Sequence, residues 1–184
     1  MHLRKLAGAP ATALAIAALA GCGSSGSSSS VTPAAYVKSI CTAVTPFEAD
    51  VVKRSDELNL TTLANAEEGK KAIQGFLSAV SDDTDRALSK LKGAGTPNVS
   101  NGKQLADTVV SAFTQLKAAV GHALAQAEAL PTSSPEAFKT AATHLGTTVR
   151  TSMSGIGSSL DKLKSPELEK AAAKEPACTS LGAA

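Results

Sequence analysis

The chain has no tryptophan, a single tyrosine and only four phenylalanines in 184 residues. Without aromatic faces it offers no platform on which sugar rings stack. Charge of one sign is missing too: Lys+Arg number 18 against Asp+Glu 16, and the two surplus cations are Arg4 and Lys5. From residue 6 onward the chain is neutral. That leaves no electrostatic footprint for nucleic acid and no polybasic patch to draw it onto anionic lipid. The apolar run from Leu6 to Leu19 falls short of the ~20 residues that a membrane-spanning helix needs. Gly-x-Ser-x-Gly, His-Glu-x-x-His, phosphate-loop and dinucleotide-binding signatures are all absent. No catalytic residue, cofactor or metal site is therefore assigned. No stretch alternates apolar and polar residues for long enough to read as a strand.

What is present is concentrated first at the N-terminus. Arg4 and Lys5 precede the apolar run, which ends in Leu19-Ala20-Gly21-Cys22. A charged start, a short apolar run and small residues at a cleavage point make a secretory signal. The four residues resemble a bacterial lipobox. That resemblance implies removal of residues 1–21 and acylation of Cys22, whose lipid (palmitate among its acyl chains) anchors the chain to the outer face of the cytoplasmic membrane. A short anchor helix, or an ordinary signal peptide with an incidental cysteine, is the alternative. Residues 22–31, rich in Ser and Gly, read as a flexible tether with an r.m.s. span of about 15–20 Å. Residues 32–184 read as the folded domain, large enough for one core.

With Cys22 assigned to lipid, Cys41 and Cys178 remain. An even pair in an oxidising compartment is expected to form a disulfide. Closing so long a loop is worth roughly 5 kcal/mol in the chain-entropy model, usually an overestimate. Two buried free thiols are the alternative.

The Ala-, Ser- and Thr-rich composition, the Leu-Ala-Gly-Cys box, the Ser/Gly tether and the early and terminal cysteines together resemble the small secreted lipoproteins of high-GC Gram-positive bacteria. This resemblance covers the whole chain. It implies location and a helical fold, and it transfers no active site.

Apolar residues beyond the tether recur at three and four, the helical period. The expectation is an all-α domain: an up-down-up-down four-helix bundle with a kinked first helix and a short C-terminal helix. The first helix starts at Thr32 as N-cap with Pro33 behind it. It carries Val37, Ile40, Val44, Phe47, Val51 and Leu58, and Pro46 predicts a kink or break near Thr45. Thr45 to Glu48 has the spacing of a fresh capping box. The second helix runs from about Thr62 to Lys92 and ends at Gly93. The third carries Leu105, Val109, Phe113, Leu116, Val120, Leu124 and Leu130. The fourth carries Phe138, Leu145, Val149, Met153 and Ile156, with Ser133 and Glu136 spaced as its capping box. A fifth, short helix starts at Ser165-Pro166-Glu167 and reaches about Lys174. Phe47, Phe76 and Phe113 are expected to form a central aromatic layer, with Phe138 sealing one end.

Three features compete for a functional reading. An apolar ligand held between helices predicts a cavity lined by Phe76, Phe113 and Met153. His122 and His144 lie on neighbouring helices and are candidate partners for a metal or a general base, although their spacing suits surface positions better. Ser81-Asp82-Asp83-Thr84-Asp85 lacks the glycine and terminal glutamate of a calcium loop. It reads as a solvated face or a helix restart at Ser81. Asn59-Leu60-Thr61 and Asn98-Val99-Ser100 match a glycosylation pattern that a bacterial chain does not use. Gly155-Ile156-Gly157 marks either a close helix approach or a hinge. The functional expectation is a non-catalytic binding or interaction module of the cell envelope, partnered by an envelope protein or an apolar ligand. The alternatives are a purely structural envelope component and, behind it, a small hydrolase or metal-binding protein using the histidines.

Overall fold

A computed structural model of the chain describes residues 29–58, 65–160, 165–179 and 181. The expected signal segment, Cys22 and most of the expected tether lie outside the described residues. Among the described residues five helices carry the fold: α1 (Pro33–Glu57), α2 (Ala66–Lys92), α3 (Gly102–Glu128), α4 (Pro135–Leu160) and the short α5 (Pro166–Ala172). Two two-residue strands, β1 (Ser30–Val31) and β2 (Thr96–Pro97), and a 3-10 turn at Pro176–Cys178 complete it. The protein is all-α.

Most of the starts obey the local chemistry. Thr32 Oγ1 accepts from the Ala35 amide at 3.2 Å, with Pro33 at the first helical position. Asn65 Oδ1 accepts from the Glu68 amide at 3.0 Å to open α2. Glu67 and Glu68 follow in its first turn and Lys90 and Lys92 stand in its last, matching the helix dipole. The expected start at Thr62 lies outside the described residues. On α4 the cap is Ser134, not Ser133: its Oγ accepts from the Ala137 amide at 3.1 Å, and Pro135 takes the first helical position. Helix α5 opens as expected on Ser165, which accepts from the Leu168 amide at 3.4 Å.

Pro46 does not break α1, which continues to Glu57. Thr45 opens no new helix. Its hydroxyl is taken by a distant partner, donating to the Ala177 carbonyl at 2.8 Å. The Ser81–Asp85 stretch likewise produces no restart, and α2 runs straight through it.

Successive helices pack on one another, α1 on α2, α2 on α3 and α3 on α4, while α5 and the 3-10 turn pack on α1. Two apolar clusters form the core. One joins Ala43 of α1, Val80, Leu88 and Leu91 of α2, and Phe113, Leu116 and Val120 of α3. The other joins Ile73 and Leu77 of α2, Ala123 and Ala127 of α3, Leu130, and Leu145 of α4. Phe47 meets Phe113 edge to face with ring centres 5.8 Å apart, a favoured arrangement for two aromatic rings. Phe76 is half-buried and borders both clusters. Phe138 belongs to the second cluster and lies directly over Gly69: a Cβ there would stand 2.5 Å from Phe138 Cζ.

The strands were not foreseen, because two residues are too few to show a period. Ser30 and Val31, read as the end of the tether, pair in parallel with Thr96 and Pro97. The amides of Thr96 and Asn98 donate to the Ser29 and Val31 carbonyls at 3.0 and 2.8 Å. Alternate amides face the partner strand, so the missing N–H of Pro97 falls on the outer side and costs no ladder bond. Gly95 makes the approach feasible. Its φ is +80°, and a Cβ would sit 2.7 Å from the Ser29 carbonyl oxygen.

Candidate functional site

Three places collect polar or reactive side chains against apolar walls. The first lies under the C-terminal segment. Cys41, buried on α1, and Cys178, half-buried in the 3-10 turn, are joined by a disulfide with Cα atoms 5.1 Å apart, across 137 residues of sequence. Together with the Thr45–Ala177 hydrogen bond, it holds residues 165–179 against the first half of α1. Between them is a cleft of about 260 Å³. Its walls are Tyr36, Val37 and Ile40 of α1, Leu105 and Val109 of α3, and Leu168 and Ala172 of α5. Ser165 and Glu169 are its polar lining residues, beside Tyr36.

Tyr36 is the single tyrosine of the chain and only 4% exposed. Burial, and secondarily the charge of Asp107, pushes its phenol up to about 12. At the mouth of α5 the Glu167 carboxyl is held below its ordinary range. The cause is its backbone amide, with the Ser165 hydroxyl donating to it at 2.9 Å as a second contribution.

The second place is the seam between α3 and α4. A broad groove of about 760 Å³ has Ala129, Leu130, Ala137, Ala141 and Leu145 as its apolar surface, with His144, Gln126 and Glu136 among its polar residues. A smaller one of about 240 Å³ holds His122 with Thr148 and Ser152. Gln126 belongs to both grooves. The two histidines are thus on one seam, both exposed, in separate recesses. Among the described residues no three His, Cys, Asp or Glu side chains are grouped to hold a metal ion.

The third place corrects the reading of Ser81–Asp85 as a solvated face. Asp83 is 4% exposed and Thr84 wholly buried. The Thr84 hydroxyl donates to the Val80 carbonyl at 2.7 Å, which satisfies it within its own helix. Asp83 Oδ1 is bound by Arg86 one turn on, and Arg54 of α1 brings its Nε to 3.8 Å from Oδ2. Oδ2 has no hydrogen-bond partner. The neighbouring Asp85 is outside this cluster and pairs with Lys117 of α3 at 2.5 Å. A signal was available: 80, 84 and 87 follow the core spacing of α2, so Asp83 and Thr84 occupy the turn between Val80 and Ala87.

Phe76, Phe113 and Met153, expected to line one cavity, share none of the recesses described above among the described residues. Phe113 is packed in the core and Phe76 borders it, whereas Met153 is 41% exposed. The main packing partner of α4 is α3. One neighbour covers a narrower stripe than two, and Met153 lies at its edge while Val149 and Ile156 stay half-buried. Gly155 marks no close approach, since a Cβ there would meet nothing within 4 Å. Of the other assigned positions, Cys22 lies outside the described residues, and Cys41 and Cys178 are brought together as foreseen.

Comparison with known proteins gives no matching family model, no matching curated protein and no matching solved structure.

Proposed function

We propose that this chain is a lipid-anchored interaction module of the bacterial envelope, held through Cys22 on the outer face of the cytoplasmic membrane and acting by binding rather than catalysis. The observation that carries this reading is the Cys41–Cys178 disulfide. Such bonds persist in oxidising, extracytoplasmic compartments, which is where cleavage before Cys22 would deliver the chain. The helix order supports an up-down-up-down bundle, each long helix packing on the next. Apolar recesses open on it, along the α3–α4 seam and under α5, and suit an envelope protein or an apolar ligand.

The test is a native mass spectrum of the intact protein, expressed with its leader and extracted from membranes without reductant. The expected mass is that of a chain beginning at an acylated Cys22 and lacking two hydrogens at Cys41 and Cys178. A chain that keeps residues 1–21, or one cut there without lipid, overturns the anchor. A reproducible additional mass identifies an apolar ligand, and its absence leaves protein partners or a purely structural role.

A further inference from the structure

The C-terminal segment is attached in an unusual way. Helix α5 has no buried residue of its own. Its main packing partner is α1, as it is for the 3-10 turn that follows. Yet the surface it covers is among the best buried in the protein: Tyr36, Val37 and Cys41 are each 6% exposed or less. Two contacts fasten the far end of this segment, the disulfide and the Thr45–Ala177 hydrogen bond. The hydrogen bond can be exchanged for one to water, whereas the covalent bond opens only when it is reduced.

The two sulfurs are not equally reachable. Cys41 is 5% exposed, in the wall of the cleft, whereas Cys178 is half-buried. Of the two, Cys178 is the less buried residue, and so the more open end of the bond to an attacking thiolate.

We propose that residues 165–179 are a strap over the apolar cleft, latched by the disulfide, and that a dithiol reductant opens it by attack at Cys178. One thiolate of the reductant bonds to Cys178 Sγ; the Cys41–Cys178 bond breaks and its electron pair leaves on Cys41 Sγ. That sulfur, set in an apolar wall, takes up a proton. The second thiol of the reductant then attacks its own sulfur in the mixed disulfide and releases Cys178, which is protonated in turn. The reductant ends as a disulfide, having supplied two electrons and two protons. The strap is freed, and Tyr36, Val37, Ile40, Leu105 and Val109 are offered to solvent or to a partner. This inference stands on the strap geometry and does not depend on the anchor at Cys22.

Tyr36 is the natural reporter, because the chain has no tryptophan and no second tyrosine. The full chain is treated with dithiothreitol under native conditions. Far-ultraviolet circular dichroism, acrylamide quenching of tyrosine fluorescence and amide exchange over residues 166–179 are then followed. The expected result is helicity nearly unchanged, quenching raised several-fold and exchange protection lost from 166–179 alone. The Cys41→Ser/Cys178→Ser double variant should reproduce it without reductant. A monothiol in place of the dithiol should leave its adduct on Cys178. Three results would overturn the proposal: Tyr36 still shielded after reduction, all helices lost together, or the adduct on Cys41.

Discussion

Tyr36 ties together burial, charge and pH at the scale of one residue. Its phenol titrates at about 12 in the folded chain against 10.0 for an exposed tyrosine. The folded state therefore keeps this proton where the unfolded state has lost it. Stability from this group is whole below pH 10.0 and drains as pH climbs towards about 12. Alkaline titration followed by tyrosinate absorbance should give one transition near the upper value in the native protein and near the lower in denaturant. Gly69 makes a second single-residue case. Phe138 occupies the space that a Cβ would fill. Gly69→Ala should therefore cost stability despite its better helix propensity, by about 1–3 kcal/mol as an overpacked core does. Thermal unfolding monitored by circular dichroism measures it.

Between elements, Asp83 is the clearest joint. It sits on α2, is bound by Arg86 of the same helix and is approached by Arg54 of α1. Both arginines retain exposed guanidiniums, with side chains 43% and 63% accessible. Once released, they can return to water. Asp83→Ala should thus cost about 1–3 kcal/mol, below the usual range for stranding a buried charge. Arg54→Ala should cost less than Asp83→Ala, and chemical denaturation of the two variants gives the order. The helices around this joint were largely legible, because Val80, Leu88, Phe113 and Val120 recur at the helical period and Thr32, Gly93 and Ser165 punctuate it. The joint itself was hidden by composition: three aspartates within four residues read as surface, although position 83 falls on the turn that faces the core. Thr45-Pro46 was misjudged in the opposite sense. Its capping spacing is local, whereas the partner that takes the Thr45 hydroxyl is Ala177, far along the chain.

The disulfide was legible by counting cysteines; the cleft beneath it was not, because its walls come from α1, α3 and α5 at once. Nor was the way the residues ahead of α1 are held. β1 and β2 join Ser30–Val31 to Thr96–Pro97 just before α1 begins. The bridge therefore stands where a clamp stands when a cable enters a housing. A pull delivered through the chain ahead of Ser29 meets the Thr96 and Asn98 hydrogen bonds before it reaches the first turn of α1. The α2–α3 connection is thus engaged ahead of the helix that carries Tyr36 and Cys41.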